Sequence, residues 1–270
     1  MLLGLTTAAF YGKLETEDAA EKLRSFDLDC AEVFLETQSE YSAPFGELVK
    51  ARLGAIPATS AHPLGTAFEN SLFSLSARQR LDARNVFCGV LEAGRALGAR
   101  RYVFHGRHNV KGTGISADFR SLAPCIGELC DLAAERGMLL CWENVSWCQL
   151  STPERVLRAR EACPLVHFVL DIKQAMQSGY DAADFIAAMG DRLANVHVCD
   201  YDAQGRLCMP GQGTYDFAAL SGQLRAAGYD GPVILEPYAT LFDCDEQLAA
   251  SLAYLRKTMQ IASQKDRDRV

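Results

Sequence analysis

Glu143, Asp171, His197 and Glu236 each stand at the end of a short apolar run. The runs are Met138-Leu-Leu-Cys-Trp-Glu143, Val166-His-Phe-Val-Leu-Asp171, Leu193-Ala-Asn-Val-His197 and Pro232-Val-Ile-Leu-Glu236. Apolar runs this short, bounded by breaks such as Glu135-Arg-Gly137, predict buried parallel strands. A carboxylate at the end of a buried strand costs several kcal/mol or more unless a cation pairs with it. Three converging carboxylates and one imidazole suit a single divalent cation, which would leave about −1 of net charge. Oxygen-rich ligation with one imidazole favours Mn²⁺, Mg²⁺ or Co²⁺ over the thiolate-type zinc site, with Zn²⁺ the less favoured alternative. The competing interpretation gives each acid a barrel arginine as a purely structural partner.

The elements that must carry these residues alternate along the whole chain. Strands are expected at about Leu2–Ala9, Cys30–Leu35, Ala58–Pro63 and Arg101–His105, and then in the four runs above. Helices are expected from about Glu17, near Gly46–Leu53, and at about Ala117–Glu135, Thr152–Ala162, Ala182–Met189, Thr214–Ala227 and Asp243–Ala262. The clearest helix has Ala83, Val86, Phe87, Val90, Ala93 and Leu97 at a 3.6-residue period, with Gly98 to stop it. Eight such units joined by right-handed crossovers point to a single (β/α)8 TIM barrel over residues 1–264, with 265–270 as a solvated tail. Active sites of that fold lie at the C-terminal ends of the strands, where all four ligand-type residues fall.

The 270 residues are 49% apolar and carry a net charge of −7, which argues against a nucleic-acid partner. The apolar start, Met1-Leu-Leu-Gly-Leu-Thr-Thr-Ala-Ala-Phe10, has no basic residue before it and reads as a strand rather than a leader. No apolar run approaches the roughly 20 residues of a membrane span. A cytoplasmic location is expected. The ten cysteines include no Cys-x-x-Cys pair and read as small buried hydrophobes, Cys141 and Cys199 among them as wall residues.

With these residues in view, the chain resembles the xylose isomerase-like TIM-barrel superfamily of sugar (and sugar phosphate) isomerases and epimerases. The resemblance rests on the four strand-end ligands together with Ala31-Glu-Val, Leu97-Gly-Ala-Arg-Arg-Tyr-Val-Phe-His-Gly106, Leu170-Asp-Ile-Lys-Gln-Ala175, His197-Val-Cys-Asp200 and Pro210-Gly-Gln-Gly213. It implies a divalent ion on Glu143, Asp171, His197 and Glu236. It also implies that Glu143 and Glu236 serve as the catalytic bases, and that the substrate is a small sugar or polyol. The fifth and eighth strands lie roughly across a barrel, so the two glutamates could flank a sugar while the ion polarises its carbonyl. Return of the abstracted proton to the opposite face gives epimerisation, and its return to the neighbouring carbon gives aldose–ketose isomerisation. The sequence leaves homo-oligomerisation open.

His62 and His105, at the ends of the third and fourth strands, should face the same mouth. They are read as substrate-binding groups, as wall histidines, or as part of a second metal site. Lys173, two residues after Asp171, falls on the same inward face if the strand continues. There it would bind a sugar oxygen or phosphate, or pair with Glu143 or Asp171. Arg107 and His108 are expected to be solvated, and His167 to lie in the core. The Gly211-Gln-Gly213 turn could cradle a phosphate, though a plain tight turn is the better reading. Two positions depart from the superfamily pattern. Gln174 stands where a histidine often follows the sixth-strand acid, and Ala203 where epimerases often have an arginine. Gln174, and Arg206 from the same loop as Ala203, are therefore further candidates for substrate contact. The alternatives are a lyase resembling inosose dehydratase, which shares the metal site, a metallo-phosphoesterase resembling the abasic-site endonucleases, and a non-catalytic sugar-binding barrel.

Overall fold

The computed structural model describes residues 1–108 and 118–263. Eight parallel strands close into a barrel in the ring order β1, β10, β7, β6, β5, β4, β3, β2. They are β1 (Leu2–Thr6), β2 (Cys30–Leu35), β3 (Ala58–Pro63), β4 (Arg101–Phe104), β5 (Leu139–Glu143), β6 (His167–Asp171), β7 (Leu193–Val198) and β10 (Pro232–Leu235). The short β8 (Asp200–Tyr201) and β9 (Leu207–Cys208) form a separate antiparallel hairpin above β7. The helices are α1 (Thr16–Leu23), α2 (Ala43–Leu53), α3 (Ala67–Ser71), α4 (Ala77–Leu97), α5 (Phe119–Ala134), α6 (Pro153–Ala162), α7 (Ile172–Gln177), α8 (Ala182–Met189), α9 (Phe217–Ala226) and α10 (Asp245–Thr258).

The expected strands and main helices are present, with ends that move by a few residues for local reasons. The first strand stops at Thr6, because the Thr6 hydroxyl accepts from the Ala8 amide and starts a 3-10 turn. The longest helix, α4, begins where Ser76 Oγ accepts from Gln79 N and ends at Gly98, whose φ of 84° continues the chain out of the helix. Its apolar stripe of Ala83, Phe87, Val90, Ala93 and Leu97 is buried. Phe87 meets Tyr102 of β4 with ring centroids 4.7 Å apart, and each such buried aromatic stabilises the helix–sheet layer by about 1.5–3 kcal/mol. Thr152 caps α6 with Pro153 in its first turn, as the sequence signals. The expected start of the fifth helix at Ala117, and the 265–270 tail, lie outside the described residues. Among the described residues, no helix is long and apolar enough to cross a membrane.

Two apolar layers result. The larger fills the space between the outer face of the sheet and the helices. A smaller cluster of Val103, Cys141, Val169 and Ala194 is separate from it. Val103, Cys141 and Val169 precede His105, Glu143 and Asp171 by two residues, so the period of a strand places apolar side chains beneath these three mouth residues.

Candidate metal centre

The polar mouth is built by register. Asp171 lies opposite His197 on the adjacent strand, and His197 opposite Ile234, two residues before Glu236. One ligand atom from each of Glu143, Asp171, His197 and Glu236 lies within 4.8 Å of the others. His197 Nδ1 is 3.5 Å from Glu143 Oε1 and 3.6 Å from Glu236 Oε2. Asn144 fixes the two acidic strand ends together. Its Nδ2 donates to Asp171 O at 3.0 Å, and its Oδ1 accepts from Asp171 N at 2.7 Å. Glu143, Asp171 and His197 are buried, while Glu236 keeps an edge toward solvent.

Lys173 also enters this cluster, by a route the strand argument did not anticipate. The strand ends at Asp171, whose Oδ1 accepts from Gln174 N and caps α7. Lys173 therefore reaches in from the first turn of a helix. Its ammonium lies 2.9 Å from Glu236 Oε2 and 3.4 Å from Asp171 Oδ2, 5.0 Å from the centroid of the Tyr238 ring. The Lys–Asp pairing foreseen as one option is the one found, with Glu236 as a second partner.

Electrostatics separates the acids. Burial pushes Glu143 up, but His105 and His197 beside it outweigh that and hold it well below the ordinary carboxylate range. Burial dominates at Asp171. Lys173 pulls it down, yet the like charges of Glu236 and Glu143 add to burial and lift it to about 7. Burial opposes the charge on His197 and Lys173, and the surrounding carboxylates overcome it, raising both well above their ordinary values. One buried atom facing this cluster, His197 Nδ1, has no hydrogen-bond partner among the described residues. Unsatisfied buried donors and acceptors of this kind cost about 1–3 kcal/mol each. A divalent ion held by the four residues satisfies it and neutralises the three carboxylates, so the donor set fits a metal.

His62 and His105 join the same mouth, as their strand ends require. Their Nε2 atoms are 2.9 Å apart, and His105 Nε2 is 3.0 Å from Glu143 Oε2. His62, His105 and Glu143 form a second grouping able to hold an ion, and Glu32, His62 and Glu236 a third. Burial lowers His62, whereas the charge of Glu143 more than offsets burial at His105 and raises it.

Among the buried acids without a role assigned from the sequence, Glu32, Glu69 and Asp200 bear on this region. Glu32 lies fully buried behind His62 and His197. Glu69, in the short α3, accepts from the amides of His105 (2.9 Å) and Gly106 (2.8 Å) and from the Tyr102 hydroxyl (3.1 Å), and so anchors the backbone that carries His105. Asp200 accepts from the amides of Tyr201, Gly211, Gly213 and Tyr215 at 2.7–3.2 Å. The amides that might have cradled a phosphate are thus already bound, and the turn is structural. A Cβ on Gly213 would lie 2.2 Å from Asp200 Oδ1, which explains the glycine. Glu32 and Asp200 stand in motifs visible in the sequence. Glu69 has no such signal.

The remaining candidates are less central. Gln174 Oε1 accepts from Ser146 N at 2.9 Å and Ser146 Oγ at 2.7 Å, joining the loop after β5 to α7. Arg206 is exposed at the tip of the β8–β9 hairpin, with its guanidinium on Asp202 at 2.7 Å and near Gln204. Its contacts in the structure do not include the ligand cluster. His108 is partly exposed. Its Nε2 is 3.2 Å from Thr66 Oγ1, and its ring meets Trp147 at 4.6 Å. His167 starts β6 half-buried, at the other end of the strand from Asp171. Cys141 and Cys199 are buried wall residues.

Comparison with known proteins agrees with this architecture. Inosose dehydratase from Geobacillus kaustophilus (strain HTA426) is 25% identical over 140 residues, which is 44% of this chain and 46% of that one. The chain thus spans less than half the length of that curated relative in the match, and 26% of an uncharacterised Mycobacterium leprae protein that is 34% identical over 73 residues. Among solved structures, a 3-keto-D-glucoside 4-epimerase from E. coli superposes with a TM-score of 0.77 at 22% identity, covering 95% of this chain and 99% of that one. D-psicose 3-epimerase from Clostridium cellulolyticum H10 gives 0.79 at 18% identity, covering 96% and 99%. At these identities the likeness is one of fold. The model of one family, described as the xylose isomerase-like TIM barrel, matches residues 20–258. With that match spanning nearly every strand and helix described above, the chain belongs to the xylose isomerase-like TIM-barrel family.

Proposed function

We propose that this protein is a divalent-metal-dependent sugar isomerase or epimerase that works by removing a proton α to a carbonyl. The observation that carries this reading is the convergence of Glu143, Asp171, His197 and Glu236 at one strand-end mouth. Those four residues would hold the ion, with Mn²⁺, Mg²⁺ or Co²⁺ favoured over Zn²⁺ by the oxygen-rich set. When bound, the ion supplies polarisation of the substrate carbonyl and countercharge for the enediolate. The substrate is a small sugar or polyol-derived ketone.

In this reading the protein's own groups move the proton. One glutamate takes the α-proton, the C–H electron pair passes into the carbonyl, and the second glutamate delivers a proton to the opposite face. His105 and His197 keep Glu143 ionised and ready to accept. His62 and His105 offer ring nitrogens to substrate hydroxyls. Gln174 braces the loop beside the site, and Arg206 would need to leave Asp202 to touch substrate.

One observation favours a second reading. The match to inosose dehydratase makes a lyase, expelling a β-hydroxyl after the same proton abstraction, the main rival. Incubation with ketoses, aldoses and inososes in D₂O separates the two. Deuterium gain without mass loss identifies an isomerase or epimerase, whereas loss of water identifies the lyase. Glu143→Gln and Glu236→Gln should each lower turnover by ~10²–10⁴-fold, the range for a lost general base. Each variant should still exchange the α-proton of one epimer. Full activity of either variant on both epimers makes that glutamate a ligand only and refutes the two-base mechanism.

A further inference from the structure

We infer that Glu32 is a positioning residue that fixes the tautomers of two site histidines at once. The inference rests on the metal-site reading of His197 given above. Glu32 lies in β2 with no solvent exposure, in register with Ser60 of β3. Its Oε2 accepts from Ser60 Oγ at 2.5 Å and Asn195 Nδ2 at 2.8 Å, and lies 3.1 Å from His197 Nε2. Its Oε1 lies 3.3 Å from His62 Nδ1. Asn195 Nδ2 is also 3.1 Å from His197 Nε2.

A carboxylate can only accept, and one buried this deeply is stable only when the groups around it donate. Both imidazoles must therefore turn a protonated nitrogen toward Glu32. His197 then carries its proton on Nε2, which leaves Nδ1 as the ligand atom facing Glu143 and Glu236. His62 carries its proton on Nδ1, which leaves Nε2 as an acceptor toward His105 and the open mouth. The oxygens of Glu32 are filled by four donors, so the acid stands behind the rings and does not itself serve as a ligand. Carboxylates behind metal-bound histidines act in this way, and their loss typically weakens metal binding 10- to 100-fold. Here one carboxylate serves a ligand and a substrate-facing histidine together.

The test uses imidazole ¹⁵N–¹H correlation spectra of the full chain loaded with diamagnetic Mg²⁺, since the carboxylates around metal-free His197 favour its doubly protonated form, and Mn²⁺ titration of wild type and Glu32→Gln from chelator. Wild type should show protonated Nε2 on His197 and protonated Nδ1 on His62. The glutamine offers one acceptor and one donor, so at least one ring should reverse its tautomer, and Mn²⁺ affinity should fall 10- to 100-fold. A bare Nε2 on wild-type His197, or a bare Nδ1 on His62, overturns the inference even if the variant does not fold. Unchanged tautomers with unchanged Mn²⁺ affinity in a folded variant overturn it too. Wild type that binds no Mn²⁺ refutes the metal-site reading, while the tautomer of His62, which is not among the four ligands, still decides the role of Glu32.

Discussion

Replacing Lys173 by Met tests whether the carboxylate cluster was built to receive a cation. The Lys173 ammonium lies 2.9 Å from Glu236 and 3.4 Å from Asp171. At an effective dielectric of about 20, those contacts amount to about 5–6 kcal/mol each before desolvation. Removing one partner of a buried ion pair costs about 3–5 kcal/mol, because the remaining charges are left unbalanced. Methionine keeps the length and apolar stem, so packing changes little. At about 2.1 cal/mol/K per residue, a 3 kcal/mol loss lowers the melting temperature of this chain by about 5 °C. That loss is expected in chelator. With Mn²⁺ in excess the ion supplies the missing countercharge, and the gap to wild type should shrink to half or less. For scale, an ion at a hundredfold excess over its Kd stabilises the wild-type fold by about 2.7 kcal/mol. Mn²⁺ affinity itself should rise, since a competing cation has gone. Thermal melts in chelator and in Mn²⁺ give the answer. An equal loss in both conditions, or none in chelator, refutes the reasoning.

Two further outcomes are expected. The metal-free protein should be most stable near pH 4.5, losing stability both as pH falls from there and as it rises from there to about 7. Glu32 and Glu143 are held below their ordinary value of 4.5, so their contribution is present above that value and lost as pH falls below it. Asp171 is lifted from 3.8 to about 7, so its contribution is full below 3.8 and lost as pH rises through 7. A divalent ion should remove the loss between about pH 4 and 7 but not the one below it, and a urea midpoint that stays flat from pH 5 to 8 in chelator would contradict this. Gly213→Ala should destabilise the protein by about 1–3 kcal/mol through overpacking, because its Cβ would meet Asp200 Oδ1 at 2.2 Å and Tyr201 O at 2.3 Å. Thermal denaturation that leaves Gly213→Ala as stable as wild type would show that the turn can move aside.

The sequence by itself determined the barrel and the ends of its strands. Short apolar runs closed by Glu143, Asp171, His197 and Glu236 carry the information locally, since a buried strand tolerates a charge only where partners converge on it. His62 and His105 were legible for the same reason. The helix start at Asp171 was legible in principle, because Asp171 with Gln174 three residues on has the form of a capping pair. Reading the strand onward instead put Lys173 on the right side for the wrong reason. Only the tertiary structure decided which buried polar groups serve one another. Glu32 and His197 are 165 positions apart, and Glu69 meets the His105 amide across 36. Neither pairing leaves a periodic trace, because closing the barrel brings those strands and loops together. Asp200 likewise claims the amides of the Gly211–Gly213 turn, and Asp202 holds Arg206 at the hairpin tip. Hydrophobic periodicity reports which face of an element is buried, but a hydrogen bond depends on the partner that the fold delivers to that face.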